Sequence, residues 1–214
     1  MSGMMLNVVG GTFGGLPAIG EAFGGGFFAG QISTAGNSIA DYNLVIGPVA
    51  SAQSTSIKYK NVNTATAGAD SDIDGPQNTV DIVADGNSTV YPAGHFCNDL
   101  VIGGFSDWYM PAKNELEVCY FNLKPTTGTN VTNSGINPNA VPARASNYTS
   151  NDPAQTSATD FQDTGAEDFV AGNYWSSTES SADRAWRQGF NNGGQSGQLK
   201  YYTLRVRAVR RLPV

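Results

Sequence analysis

Short apolar runs separated by Gly, Asn and Ser recur along the chain and predict strands joined by turns rather than long helices. Phe27 to Ile32 and Tyr42 to Ile46 are two such runs, linked by the turn residues around Gly36 and Asn37, and they predict an opening hairpin. Further strands are expected at Tyr174 to Ser177, Arg184 to Phe190 and Tyr201 to Val209. In the second of these, Trp186, Gln188 and Phe190 share one face while Arg187 and Gly189 share the other. In the third, Tyr202, Leu204, Val206 and Ala208 alternate with Tyr201, Thr203, Arg205 and Arg207. The turn-rich polar stretch from Asn191 to Lys200 between them predicts a loop closing an antiparallel pair.

Helical periodicity is confined to the middle. Segments are expected over Thr79 to Ala84 and His95 to Leu100, and the clearest helix starts at Pro111, whose fixed φ suits a first turn, with Leu116, Tyr120 and Leu123 on one side. It ends before Pro125. From Asn122 to Asp168 the chain is polar and interrupted by Pro125, Pro138, Pro142 and Pro153; a loop-like insertion of that length is expected to be functional or interface-forming. Residues 1 to 26 hold nine glycines interleaved with Phe13, Leu16, Ile19 and Phe23, and are read as an attachment arm preceding a domain over 27 to 214, with a disordered linker as the alternative.

Composition sharpens this picture. Only 14% of the residues are charged, against roughly 25% in an average soluble protein, while Gly reaches 26, so polar uncharged side chains and backbone cover the surface. The net charge is −6, yet from Arg184 onward there are seven basic residues and no acidic one, against five basic and eighteen acidic before it. A basic strand system paired with an acidic body is expected; a nucleic-acid footprint, which needs a basic domain, is not. No signal-peptide pattern or membrane-length apolar run is found, so membrane insertion is not expected.

Candidate chemistry is sparse. A lone His95 argues against multi-histidine metal sites and leaves no spare orienting imidazole; it is expected capped or half-buried. Gly24-Gly25-Gly26 precedes Phe27-Phe28 and lacks the Lys and Ser/Thr of a phosphate loop. Cys97 and Cys119 sit in apolar, helical stretches that favour two buried free thiols, with a disulfide left open. Asp70, Asp72, Asp74 and Asp81 approach calcium-loop spacing, but Asp81 stands where a bidentate Glu belongs and no helix precedes, so Asx-turns and a helix N-cap are expected instead. No cofactor and no metal are expected. Trp108, Trp175 and Trp186 are expected in the core with their N–H groups on backbone carbonyls, and Glu115 and Glu179 are expected to pair with Arg205 or Arg207. Paired carboxylates for glycoside hydrolysis stay open, but the expected role is not enzymatic.

Several islands, in order, resemble one family: Gly25-Gly26-Phe27-Phe28, Trp108-Tyr109-Met110-Pro111 running to Glu115-Leu116, Tyr174-Trp175-Ser176-Ser177-Thr178-Glu179, Ala185-Trp186, and Val206-Arg207-Ala208-Val209-Arg210. They are similar to the C-terminal domain family of the Legionella collagen-like adhesin, a branch of the C-type-lectin-like fold, and the likeness runs from about residue 25 onward. It implies an α+β fold of short antiparallel strands, two or three short helices and long loops. The runs Asn114 to Pro125 and Phe190-Asn191-Asn192-Gly193 look closest to tailed-phage virion members, including proteins diversified by retroelements. Secreted members often carry Cys where this chain has Ala208, and its loss accords with assembly in a reducing cytoplasm. The resemblance therefore implies a virion receptor-binding protein or adhesin at a tail fibre or tip, assembled in the host cytoplasm as a homo-oligomer. Its expected partners are other virion proteins, through the arm, and a host cell-surface protein or glycan. A structural decoration or connector protein of the virion is the alternative. Strand parity and loop composition place the contact surface at Asp183, Arg184, Arg187, Asn191, Asn192, Gln195, Gln198, Tyr201 and Tyr202, residue types that bind at low entropy cost.

Overall fold

A computed structural model describes residues 15–214. Its first strands, β1 (Ala22–Phe23), β2 (Gly26–Ile32) and β3 (Tyr42–Ile46), run antiparallel. A single helical turn, α1 (Val49–Ala52), leads into β4 (Gln53–Lys58). Three helices follow, α2 (Gly75–Asp85), α3 (Pro92–Asn98) and α4 (Lys113–Leu123). The remaining strands are β5 (Asn173–Ser181), β6 (Arg184–Gly189), β7 (Gln195–Leu199), β8 (Thr203–Arg207) and β9 (Val209–Pro213). They form a four-stranded sheet of order β1-β2-β3-β9 and a five-stranded sheet of order β4-β8-β5-β6-β7. The expected α+β class is the one observed, with one short helix more than expected.

The opening hairpin and the three helices stand close to where the apolar pattern put them. Asp74 caps α2 by accepting the Gln77 N–H, and Pro sits in the first turn of both α2 and α3. Helix α4 begins two residues later than expected because Ala112 is extended (φ −67°, ψ 166°) and serves as its N-cap; side chains satisfy the free N–H groups there, Glu115 accepting from Ala112 (2.7 Å) and Thr178 from Lys113 (2.9 Å). The helix lies across β2 at Gly30, where φ is +134° and a Cβ would come within 2.5 Å of the Asn122 amide, so only glycine allows this approach.

Two apolar clusters make the core. One gathers Leu116, Tyr120 and Leu123 of α4 with Leu44, Tyr174 and Phe190. The other gathers Trp108 and Trp175 with Tyr59, Tyr91 and Val206. Burying each large side chain contributes about 1.5–3 kcal/mol. The Trp175 indole donates to the Ile57 carbonyl at 3.1 Å as expected, whereas the buried Trp108 N–H has no partner among the described residues.

Several expectations are corrected. The stretch Asn191 to Lys200 is not a loop throughout: it contains β7, which pairs along the whole of β6, and the Tyr201 to Val209 run is split into β8 and β9, in different sheets. Tyr201 and Tyr202 accordingly sit in a turn before β8. The ion pairs are also redistributed. Glu115 is held by Arg211 (2.8 Å) and Glu179 by Lys200, while buried Arg207 takes Glu167 at 2.6 Å and the Gly47 carbonyl at 2.7 Å. The Arg207 guanidinium is engaged elsewhere, lying 4.8 Å from the Phe169 ring centroid. The boundary drawn at Gly26 cuts through a paired unit. Ala22 and Phe23 are β1, Ile19 packs on the core, and Arg210 donates to the Gly24 carbonyl at 2.6 Å. The arm's first fourteen residues lie outside the described residues.

Cys97 and Cys119 are both free and buried, and burial pushes both thiols up from their usual range. His95 is half-buried, with Nε2 on the Gly86 carbonyl at 2.7 Å.

Candidate functional site

The insertion expected between Asn122 and Asp168 is ordered by buried amides and ions rather than by regular structure. Its first two residues close α4; beyond them, Asn137 donates to the Asn114 carbonyl (2.8 Å) and to Glu117 (2.5 Å), and its side-chain oxygen accepts from Asn139 and Ala140. Asn139 reaches the Ser33 carbonyl at 2.8 Å, and Asn130 holds the carbonyls of Thr149 and Pro153 at 3.1 and 2.9 Å. Glu117, fully buried on α4, also takes Arg144 and the Tyr148 hydroxyl. Lys124 is buried on the carbonyls of Gly128 and Pro153 with no carboxylate beside it, and burial lowers its pKa from the usual lysine range. These contacts satisfy backbone groups that a buried loop would otherwise strand.

So fixed, the insertion lies against the β6–β7 hairpin. Val131 donates its N–H to the Asn192 carbonyl at 2.9 Å, and the Ser134 hydroxyl accepts the Gln195 N–H at 3.1 Å. Two grooves flank this seam. The first, of about 400 Å³, is walled by Asp72, Lys113, Asn133, Asn147, Trp186 and Gln195. The second, of about 420 Å³, is walled by Asn133, Asn173, Arg187, Asn191, Asn192 and Gln195. They share Asn133 and Gln195 and make one continuous polar strip.

Of the nine expected contact residues, the structure brings Arg187, Asn191, Asn192 and Gln195 together in this strip. Asp183, Arg184, Gln198, Tyr201 and Tyr202 collect at the opposite end of the hairpin, where Arg184 pairs with Leu199 in the ladder. There the rings of Tyr201 and Tyr202 stack with centroids 5.0 Å apart, both exposed, and Lys200 donates its N–H to the Asp183 carbonyl. The nine thus form two patches, not one.

Arg187 has no carboxylate partner among the described residues. It donates to the Asn173 side chain, its Nε is buried and unpaired, and burial lowers its pKa from the usual arginine value. Trp186, expected in the core, is a correction. It is only half-buried and lines the first groove, with the Lys113 ammonium 4.6 Å from the ring centroid and Lys113 in turn 2.9 Å from Asp72. Parity placed it with Gln188 and Phe190 on one face, but the core covers only the far end of that face. Sequence reasoning missed Lys113, Asn133 and Asn147 as groove residues, since nothing in a polar, aperiodic stretch marks which amides face solvent.

Three of the four aspartates of the calcium-like run are otherwise engaged: Asp72 with Lys113, Asp74 with the α2 N-terminus and Arg211 (3.6 Å), Asp81 with the Gln77 amide (3.0 Å). Among the described residues no three His, Cys, Asp or Glu side chains converge as metal ligands, and no helix is long and apolar enough to cross a membrane.

The α+β scaffold thus orders an aperiodic insertion against a hairpin and leaves polar grooves beside their seam. The family model of the Lcl C-terminal domain matches residues 60–210, and the chain belongs to this adhesin-like family. No curated protein matches the chain.

Proposed function

We propose that this domain is a non-enzymatic receptor-binding module of a phage virion, carried at a tail fibre or tip on a C-type-lectin-like scaffold, and that it grips a host cell-surface protein or glycan through the strip beside the β6–β7 hairpin. The observation that carries this reading is the strip itself. Its amides line walls fixed by buried hydrogen bonds, with the partly buried Arg187 held on Asn173 among them, and such preorganisation lowers the cost of binding. The virion setting, with assembly in the host cytoplasm, homo-oligomerisation and attachment to other virion proteins through the N-terminal segment, rests on the likeness of the Asn114 to Pro125 and Phe190 to Gly193 runs to tailed-phage proteins.

The test is adsorption of the purified chain to host cells, with Arg187→Ala, Asn191→Ala and Gln195→Ala combined. Adsorption should be lost while the protein stays folded: Asn191→Ala and Gln195→Ala should cost about 0.5 kcal/mol or less each, and Arg187→Ala about 1 kcal/mol more for its lost bond to Asn173. Full adsorption by the folded triple variant would move the contact to the Tyr201–Tyr202 patch. A chain that enters particles but never binds cells would support a decoration or connector role instead.

A further inference from the structure

Within the strip the two grooves differ in charge, and the difference selects a ligand. We propose that the first groove binds an uncharged sugar ring, a neutral pyranose of a surface glycan, stacked against Trp186; this deepens, and rests on, the reading of the strip as the host-contacting surface. Trp108 and Trp175 are almost wholly buried, but Trp186 is only partly buried and lines the groove beside the Lys113 ammonium, and its ladder partner on the edge strand β7 is Gly197, which has no side chain to cover the indole. An indole that keeps part of its surface in a groove beside polar groups suits a ligand with one apolar face and a hydroxyl rim.

The rim has that chemistry. Asn130, Asn137 and Asn139 are buried and hydrogen-bonded, yet the side chains of Asn133, Asn147 and Gln195 have no hydrogen-bond partner among the described residues, and all three face the groove. Each free amide offers both donors and an acceptor, the pattern that vicinal hydroxyls need. Among the described residues the charges lining the groove are Lys113 and Asp72, which neutralise each other at 2.9 Å and leave no unbalanced cation there for an anionic group. Arg187, which could supply one, lines the other groove and is turned to Asn173. The volume of about 400 Å³ lies at the small end for ligand sites and accommodates about one or two sugar rings.

Intrinsic fluorescence tests this directly, because a ligand in the groove changes the surroundings of Trp186 and leaves the two buried indoles as they were. The full chain is titrated with neutral trisaccharides of glucose, galactose, mannose and N-acetylglucosamine to about 10 mM, a range that captures millimolar affinities, and in parallel with the same sugars carrying sulfate. At least one neutral trisaccharide should give a saturable shift. W186A should stay folded with a lowered melting temperature and bind it at least tenfold more weakly by calorimetry, W186F should bind within a few-fold of the parent without the emission change, and Asn133→Ala with Asn147→Ala should weaken binding severalfold. Saturation by none of the neutral sugars, equal binding by W186A, or a tenfold preference for the sulfated forms would each overturn the proposal. Cell adsorption that no neutral sugar competes would sink this inference and leave the receptor-binding reading standing; sugar saturation without any cell adsorption would do the reverse.

Discussion

Replacing Glu117 should both destabilise the domain and dissolve one wall of the polar strip. Its carboxylate is fully buried and receives Arg144, whose side chain is 14% exposed, together with the Tyr148 hydroxyl and the Asn137 amide. Removing one partner of a buried ion pair costs about 3–5 kcal/mol because the other charge is left uncompensated. Each donor left unsatisfied adds about 1–3 kcal/mol, less where water can enter. Since Arg144 can reach solvent, we expect about 5 kcal/mol for Glu117→Ala and about 2–3 kcal/mol for Glu117→Gln, which keeps one acceptor. For a domain of this size 1 kcal/mol lowers Tm by about 2–4 °C, so the alanine variant should melt roughly 10–20 °C below the parent. Against a total stability of about 5–15 kcal/mol that variant stands near unfolding, and the glutamine variant keeps the test measurable. Urea melts of the parent, Glu117→Gln, Arg144→Met and the double variant should give a coupling of about 1.5–3 kcal/mol. A fall in Tm below about 3 °C for the alanine variant, with unchanged urea dependence, would refute the view that this carboxylate organises the insertion.

Gly193 has φ +77°, and a Cβ there would lie 2.6 Å from the Tyr120 ring and 2.8 Å from that of Tyr148; Gly193→Ala should therefore cost about 2–4 kcal/mol in denaturant melts, strain and overpacking acting together. Asp85 accepts the Tyr91 hydroxyl, and that bond, aided by Lys60, holds its carboxyl below the usual carboxylate value. Its unfolded form takes up a proton first, so its contribution to stability is present above the ordinary carboxylate range and is lost as pH falls through the depressed folded value; the acid limb of Tm against pH should be shallower in Asp85→Asn than in the parent. Both cysteines should resist a thiol reagent in the native protein and react together on unfolding, and fast native labelling of either would contradict their burial.

Strand parity and helical spacing carried the parts of the fold where one side of an element is buried along its whole length. The β2–β3 hairpin, the apolar side of α4 and the interior of β5 are of this kind. Strand β7 escaped because Gln195-Ser196-Gly197-Gln198-Leu199 has no apolar alternation, being an edge strand whose stability lies in backbone pairing with β6. Trp186 escaped because parity assigns a side and not the depth of cover on it. The insertion escaped for a third reason: an asparagine reads alike in sequence whether it is sealed beneath a loop, as Asn137 is, or turned to water, as Asn133 is. Half of the candidate site was legible through Arg187, Asn191, Asn192 and Gln195 on the hairpin, while the half supplied by Lys113, Asn133 and Asn147 required the tertiary arrangement.

The separation of those two asparagine populations has a bearing on how this surface changes over generations. Asn130, Asn137 and Asn139 hold the insertion, and the side chains of Asn133, Asn147 and Gln195 have no hydrogen-bond partner among the described residues. Random replacement at the second set leaves the first untouched, so most members of a library built at those three codons should fold. Selection on such a library would then act on recognition alone, and a new specificity would arise by a few substitutions without passing through unfolded ancestors.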